Sequence, residues 1–279
     1  MGRVFEARGS SLLPARFRAA AVGAVAGLQV LALALWFAVP PAFGQDPEAA
    51  PVAEGPAARG PVYRELRISE PARGAIETAK MLRSGELTDA TLLTNYCLYR
   101  VADFTREVNR ARLHELRTDL KRMLGTGLGR GDVHATAVGT VLDAMQAIAE
   151  NRKENAEDPD YAPIVRVNAV LVIGTLNERE PDLRGAGAVP HRRALPVLLQ
   201  FVADQRPVDD VSDALRAAAL VGLRSHAARQ LSNQDRDRVL AALEPLTNSE
   251  EPPQGRTAAV HQYLRRSATE IARSVQGQS

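Results

Sequence analysis

The chain has very little cysteine and few aromatic residues. Cys97 is the single thiol in 279 residues, so no intramolecular disulfide can form and no cysteine-based zinc or haem-attachment motif is present. Cys97 lies at helical spacing with Leu93, Val101 and Phe104, which predicts a small buried apolar residue rather than a reactive thiol. Aromatic residues make up 4% of the chain, and the hydrophobic fraction of 45% is rich in Ala, Leu and Val. This composition favours closely packed helices over strands.

Common motifs of enzymes and phosphate-binding proteins are also missing. The sequence has no Gly-x-Ser-x-Gly elbow and no His-Glu-x-x-His pair. The glycine-rich segment 125–131 (GTGLGRG) follows a charged amphipathic helix and contains no Gly-Lys pair. It therefore predicts a helix end and a connector, not a phosphate-binding loop.

Residues that could bind a metal are present but poorly spaced for it. No two histidines form an i, i+4 pair, and the acidic clusters lack the alternating ligands and glycine of a calcium loop. The candidate histidine ligands are His134, His191, His226 and His261. One acidic cluster consists of Glu154, Glu157, Asp158 and Asp160, and the other of Glu178, Glu180 and Asp182. We expect the histidines in loops or at the surface, the acids in turns, and neither a metal nor a cofactor.

The net charge argues against nucleic acid as a partner. The formal charge of +2 depends on residues 1–44, which hold four arginines and one acid. Residues 45–279 contain 31 basic and 32 acidic side chains. Since nucleic-acid binding needs a concentrated basic face, this near-neutral body gives no electrostatic case for that class of function, and we expect no nucleic-acid partner.

The first 44 residues have the order of a secretory signal. Four arginines come first: Arg3, Arg8, Arg16 and Arg18. Residues 19–39 then carry no charge, Pro40 and Pro41 end the apolar run, and small residues at 42 and 44 form a cleavage site. The 21-residue run is also long enough to span a bilayer as a retained anchor. Either way we expect the body to be exported, periplasmic or extracellular, with membrane contact only through residues 19–39 if the signal is uncleaved.

The rest of the chain divides into a linker and a helical body. Residues 45–62 are rich in Pro and Ala and predict a disordered linker. Residues 63–128 predict an N-terminal helical region, and residues 129–275 a series of helical repeats. Apolar periodicity and capping residues place helices near 69–83, 89–104, 113–124, 132–151, 163–177, 195–203, 210–228, 235–246 and 257–275. No segment alternates with a period of two, so we predict an all-α fold with no sheet.

A pattern in the C-terminal half repeats after fifty positions. Asp160 lies six residues before Arg166, and Asp210 lies six residues before Arg216. Each arginine precedes an alanine by three, and an aliphatic run containing a glycine follows, with the residues Ala169, Gly174, Ala219 and Gly222. A third copy begins at Arg265 and Ala268, but Ala259 stands where the aspartate is expected. Self-similarity at a fixed period is typical of stacked helix pairs.

The pattern resembles that of HEAT-type repeats. The resemblance covers about residues 132–275 and implies an α-solenoid, a right-handed stack of antiparallel helix pairs. It also implies that Asp160, Arg166, Asp210 and Arg216 form a structural ladder that ties neighbouring repeats together, with Ala169 and Ala219 allowing close helix approach. We refer to these four charged residues as the predicted ladder.

Two functions follow as hypotheses. The first is an exported, non-catalytic helical-repeat scaffold that binds a protein or peptide partner, because stacked repeats expose long curved surfaces. The second is an enzyme whose active site is built from dispersed residues. No residue of the sequence identifies the partner surface or a reaction.

Overall fold

The computed structural model describes residues 61–277 except 127, 128, 130, 182–184, 205–207 and 230. Most of these residues are helical, which confirms the all-α class. The predicted signal or anchor and residues 45–60 of the predicted linker lie outside the described residues. The helices are α1 (Gly74–Ser84), α2 (Ala90–Thr105), α3 (Leu113–Leu124), α4 (Gly131–Ala149), α5 (Pro163–Ile173), α6 (Ala194–Val202), α7 (Asp210–Ala227), α8 (Asn233–Thr247) and α9 (Ala258–Gln276), with a 3₁₀ turn at Glu107–Arg112 between α2 and α3.

Capping residues fix several of these ends as the sequence predicts. The side chain of Asp89 accepts a hydrogen bond from the backbone N–H of Leu92 at the start of α2. Thr257 caps α9 in the same way. Gly85 ends α1 with a φ of 73°, a conformation that glycine adopts without strain.

Two predicted helix starts are displaced. Helix α1 begins at Gly74 rather than near Ser69, because a turn closed by a 2.8 Å bond from Gly74 N–H to the Pro71 carbonyl precedes it. Arg73 adopts a positive φ of 59° there. Helix α4 begins at Gly131, so Asp132 lies inside the first turn instead of capping it. An acid in that position still interacts favourably with the helix dipole.

The prediction of no sheet is wrong in one place. Residues Asn177–Arg179 (β1) and Val189–Pro190 (β2) pair as a short antiparallel ribbon, where the sequence predicts the last residue of the helix 163–177 and the loop that follows it. With three and two residues, the strands are too short for a detectable alternation.

The helices pack in a regular order. Along the chain they form the pairs α2/α3, α4/α5, α6/α7 and α8/α9, and the two helices of each pair are in contact. The second helix of each pair also contacts the second helix of the next, from α3 to α5, α7 and α9. Helix α2 likewise packs along α4, and α6 along α8. Residues 63–128 thus share one hydrophobic core with the predicted repeats.

An extended segment at the start of the described chain packs against this core through Tyr63 and Leu66. Leu66 N–H donates to the Thr105 hydroxyl at the end of α2, and Arg64 N–H donates to the carbonyl of Asp160 in the turn between α4 and α5. We call residues 61–69 the strap. It joins the α2 end to the α4–α5 turn before α1 begins.

Candidate functional site

The first half of the predicted ladder reaches backwards to the preceding helix. The Nε atom of Arg166, on α5, donates to the Ala149 carbonyl at the end of α4 over 3.2 Å. Asp160 lies in the turn before α5 and pairs with Lys153 at 2.8 Å. The pKa of the Asp160 carboxyl is lowered, first by the hydrogen bond from Lys153 and more weakly by Asn151 and the charge of Arg166. Arg166 therefore anchors α5 to the end of α4 through a backbone carbonyl.

The second half of the ladder uses a different carboxylate from the one expected. Arg216 Nη1 lies 2.7 Å from Asp213 Oδ1, and its Nη2 donates to the Asp204 carbonyl in the turn after α6. Asp210 is exposed in the first turn of α7. A residue three before Arg216 shares its helix face, whereas one six before it points about 120° away. The periodic aspartate thus marks the helix start, and the arginine pairs inside the helix.

A second arginine completes this contact from the neighbouring helix pair. Arg256, in the loop before α9, donates from Nε and Nη2 to the two Asp213 oxygens, each over 2.8 Å. The side chains of Asp213, Arg216 and Arg256 are each only 5% exposed. We call these three residues the Asp213 cluster. Its bidentate, desolvated geometry ties α7 to the loop that leads into α9.

Sequence reasoning missed Arg256. The spacing of Asp213 and Arg216 is readable as an i, i+3 pair, but Arg256 lies 43 residues from Asp213 and outside the repeat pattern. Arg265, the residue that the pattern aligned with Arg216, instead lies half-buried on α9. Only the packing of α9 on α7 shows which arginine faces Asp213.

The two repeat glycines lie directly against each other. A Cβ added to Gly174 would lie 2.5 Å from the Gly222 Cα, and one added to Gly222 would lie 2.8 Å from the Gly174 Cα. These glycines let the end of α5 approach the backbone of α7 directly. Ala169 and Ala219 are fully buried on the same two helices, in keeping with the close approach that the resemblance implies.

The prediction of loop or surface histidines is wrong for His134, His226 and His261, which are buried on helices, whereas His191 lies in the loop before α6 as expected but is also buried. His134 bridges two elements, since its Nδ1 lies 3.2 Å from the Leu124 carbonyl oxygen and its Nε2 lies 3.0 Å from that of Asn177. His261 Nε2 lies 3.1 Å from the Ser249 carbonyl. A backbone carbonyl can accept the single N–H of a buried neutral imidazole, whereas His261 Nδ1 contacts no hydrogen-bond partner among the described residues. No spacing in the sequence distinguishes a buried histidine that bonds to a backbone carbonyl from a histidine exposed to solvent.

His191 and His226 are buried in a less polar setting. His191 Nδ1 and His226 Nε2 contact no hydrogen-bond partner among the described residues. Burial lowers the pKa of His191, and burial followed by the charge of His191 lowers the pKa of His226 to about 4. Both rings are therefore neutral near pH 7. Among the described residues, no three His, Cys, Asp or Glu side chains are arranged to hold a metal ion.

The acidic turn between α4 and α5 holds the strap. Arg64 donates from Nη2 to Glu154 over 2.8 Å and from Nη1 to the Arg152 carbonyl over 3.0 Å. Asp158 lies 3.5 Å from Nη1, and the guanidinium lies over the Tyr161 ring at 5.2 Å. The first acidic cluster, through Glu154 and Asp158, therefore binds the Arg64 side chain of the same chain. In the second acidic cluster, Asp182 lies outside the described residues.

Cys97 is buried in the core, as the sequence predicts. Burial raises the pKa of its thiol to about 12. The thiolate that would act as a nucleophile is therefore negligible at neutral pH.

A groove between α3 and the C-terminal end of α5 carries a partly buried cation. Its enclosed volume is small, about 10 Å³, and it is lined by Arg117, Leu120, Lys121, Leu124, Val172, Thr175, Leu176 and Glu180. The Nε atom of Arg117 is inaccessible to solvent and lacks a hydrogen-bond partner among the described residues. Burial lowers the pKa of this guanidinium. We call this feature the α3–α5 groove.

Gly129, in the glycine-rich segment between α3 and α4, lies against Glu180 at the edge of this groove. Gly129 has a φ of 54°, and its carbonyl accepts a hydrogen bond from Glu180 N–H over 3.0 Å. A Cβ at Gly129 would lie 2.6 Å from the Glu180 Cβ. Glycine is needed here both for its conformation and for the close approach of the ribbon.

Comparisons with protein families, with curated proteins and with solved structures found no match. Within the described part of the chain, none of the helices is long and apolar enough to cross a membrane. The arrangement of side chains and helix packing must therefore supply the functional argument.

Proposed function

We propose that this protein is an exported helical-repeat scaffold that binds a protein or peptide partner. In this proposal the four helix pairs from α2 to α9 form a right-handed, HEAT-like stack. One observation carries it: the second helices α3, α5, α7 and α9 contact one another in chain order. That order of contacts is what a stack of repeats requires, since each repeat contacts its neighbours.

One tie within a helix pair and one tie between neighbouring pairs support the same proposal. Arg166 joins α5 to the end of α4, and Arg256 joins the α8–α9 loop to Asp213 on α7. The first contact lies within the pair α4/α5, and the second links the pair α6/α7 to the pair α8/α9. A scaffold of this kind offers a continuous surface to a polypeptide, and its own buried arginines serve stability rather than chemistry.

Affinity capture tests the binding function. The chain beginning at Gln45 would be immobilised and exposed to an envelope extract, with an unrelated helical-repeat protein of similar charge as the control bait. We expect one protein to be recovered repeatedly on this bait alone and to bind again when both partners are purified. Repeated recovery of nothing above the control would contradict the proposal.

A further inference from the structure

We propose that the surface beneath the strap is a binding groove for an extended polypeptide, filled by the strap in the free protein and by an arginine-bearing segment of a partner in the complex. The end of α2, the 3₁₀ turn at Glu107–Arg112 and the α4–α5 turn form this surface, which we call the strap groove. The inference rests on the proposed scaffold function and names the chemistry of the segment that the scaffold recognises.

The strap lies on this surface as a bound peptide does. Its side chains alternate along the extended backbone, with residues 64, 66 and 68 half-buried and residues 65, 67 and 69 exposed. Its backbone also bonds to the groove. Besides the two strap N–H donors described above, the Ile68 carbonyl accepts from Arg106 Nη2 over 3.4 Å. Proteins that recognise extended peptides combine main-chain hydrogen bonds with pockets for alternate side chains in the same way.

The pocket that holds Arg64 defines the chemical class of the ligand. The guanidinium donates to Glu154 and to the Arg152 carbonyl. It also lies 3.5 Å from Asp158 and over the Tyr161 ring. Acceptors on several sides and an aromatic face suit a guanidinium better than an ammonium, because its planar donor fork bonds and stacks at once. The pocket therefore favours a segment that carries an arginine.

The strap can leave without opening the helical core. None of its residues is fully buried, and Val62 is 80% exposed. The buried residues that it contacts, Thr105 and Tyr161, belong to α2 and to the turn before α5. On its N-terminal side the strap follows residues 45–60, which the sequence predicts to be a linker. A competing segment can therefore take its place while the helices stay packed.

A peptide supplied in trans tests this inference. The probe has the sequence of residues 61–69, Pro-Val-Tyr-Arg-Glu-Leu-Arg-Ile-Ser-amide, with fluorescein at its N-terminus, and its binding is followed by anisotropy. It is titrated with the chain from Gln45 as the wild type and as Arg64→Ala, whose own strap lacks the anchoring side chain. We expect Arg64→Ala to bind the probe about tenfold more tightly or better, because an occupied groove weakens binding in proportion to the fraction that is open.

Two matched controls locate the binding. Arg67→Ala changes an outward-facing residue of the strap and should bind the probe as weakly as the wild type. The probe with Gln in place of its first arginine should bind Arg64→Ala about tenfold more weakly, since charge-assisted hydrogen bonds are lost. If Arg64→Ala alters the far-UV spectrum, Leu66→Ala replaces it, because that change weakens the strap at its apolar contact.

Two results would overturn the inference. One is that the wild type and Arg64→Ala bind the probe equally, or that neither binds it. The other is light scattering that finds a dimer for the wild type and a monomer for Arg64→Ala, which would make the strap of a second copy the occupant.

Affinity capture shows which of the two proposals fails. A partner that the wild-type and Arg64→Ala baits recover equally, even with excess probe, would leave the scaffold function standing and remove the strap groove as its contact. Probe binding with no captured partner would contradict the scaffold function and leave the groove as a site for extended, arginine-bearing segments.

Discussion

Asp213 forms buried ion pairs with two arginines, Arg216 and Arg256. Arg256 donates hydrogen bonds to both of its carboxylate oxygens, and Arg216 donates to one of them. All three side chains are almost fully buried. Removing the carboxylate would therefore leave two desolvated guanidinium groups near each other.

We predict that Asp213→Asn destabilises the protein by about 3 to 5 kcal/mol, the range for breaking a buried charge pair. Asp210→Asn, the matched change at the exposed aspartate of the same helix, should cost within about 0.5 kcal/mol. Urea denaturation midpoints of the two variants measure the difference. Equal midpoints would mean that the Asp213 cluster contributes little to folding.

Buried neutral histidines make the protein sensitive to acid. The pKa of His226 falls from its ordinary value of 6.5 to about 4 in the folded state. The unfolded chain therefore binds a proton first as the pH falls. This group's contribution to stability is complete above about pH 6.5 and is lost as the pH falls towards 4, at up to about 1.4 kcal/mol per pH unit.

We predict that His226→Leu flattens the decrease in melting temperature between pH 6.5 and 4. The pKa of His191 is also lowered by burial, so part of the pH dependence should remain. His114→Gln, at an exposed position, should leave the profile as in the wild type. A profile for His226→Leu that parallels the wild type would show that this ring does not titrate abnormally.

At the scale of elements, the contact of α5 with α7 depends on two glycines. Gly222→Ala would place a methyl group 2.8 Å from the Gly174 Cα and 3.0 Å from both terminal methyl carbons of Leu198. The Gly174 backbone cannot move away from this methyl group as a flexible side chain could. We predict a loss of about 1 to 3 kcal/mol, the usual effect of overpacking.

Gly139→Ala is the matched control for this change. Gly139 also lies within a helix, but an added Cβ there would meet nothing closer than Arg193 Nη1 at 4.0 Å. We expect it to stabilise the protein by about 0.5 to 1 kcal/mol through helix propensity. Opposite shifts in melting temperature would confirm the close approach, and a stabilising Gly222→Ala would contradict it.

The strap depends on one arginine. Arg64 inserts among the Arg152 carbonyl, Glu154 and Asp158 with its side chain 13% exposed. We predict that Arg64→Ala costs about 1 to 2 kcal/mol and exposes the strap to proteolysis. Arg67→Ala changes an exposed arginine three residues further on and should have almost no effect. Limited proteolysis followed by N-terminal sequencing measures both, and equal cleavage rates would count against the anchoring role.

At the scale of the whole molecule, the proposal of export makes a separate prediction. Residues 1–50 fused to a reporter should carry it out of the cytoplasm, because the charged start, apolar run and small-residue site have the order that export recognises. The mature protein should begin near Gln45. An intact N-terminus in carbonate-washed membranes would replace cleavage with anchoring, and a cytoplasmic reporter would reject export.

The sequence by itself determined the all-α class and nearly all helix positions. Apolar periodicity and capping residues such as Asp89 and Thr257 act over a few neighbouring residues, so they are readable without a fold. The burial of Cys97 followed in the same way. The helix starts at Gly74 and Gly131 were missed because a local turn can shift a boundary by a few residues.

Tertiary structure alone decided which charged and polar groups meet. Arg256 and Asp213 lie 43 residues apart, Arg64 and Glu154 lie 90 apart, and no local pattern links either pair. The burial of the histidines and the β1/β2 ribbon likewise depend on elements brought together by folding. Pairing between distant residues follows from helix packing, which a one-dimensional pattern does not contain.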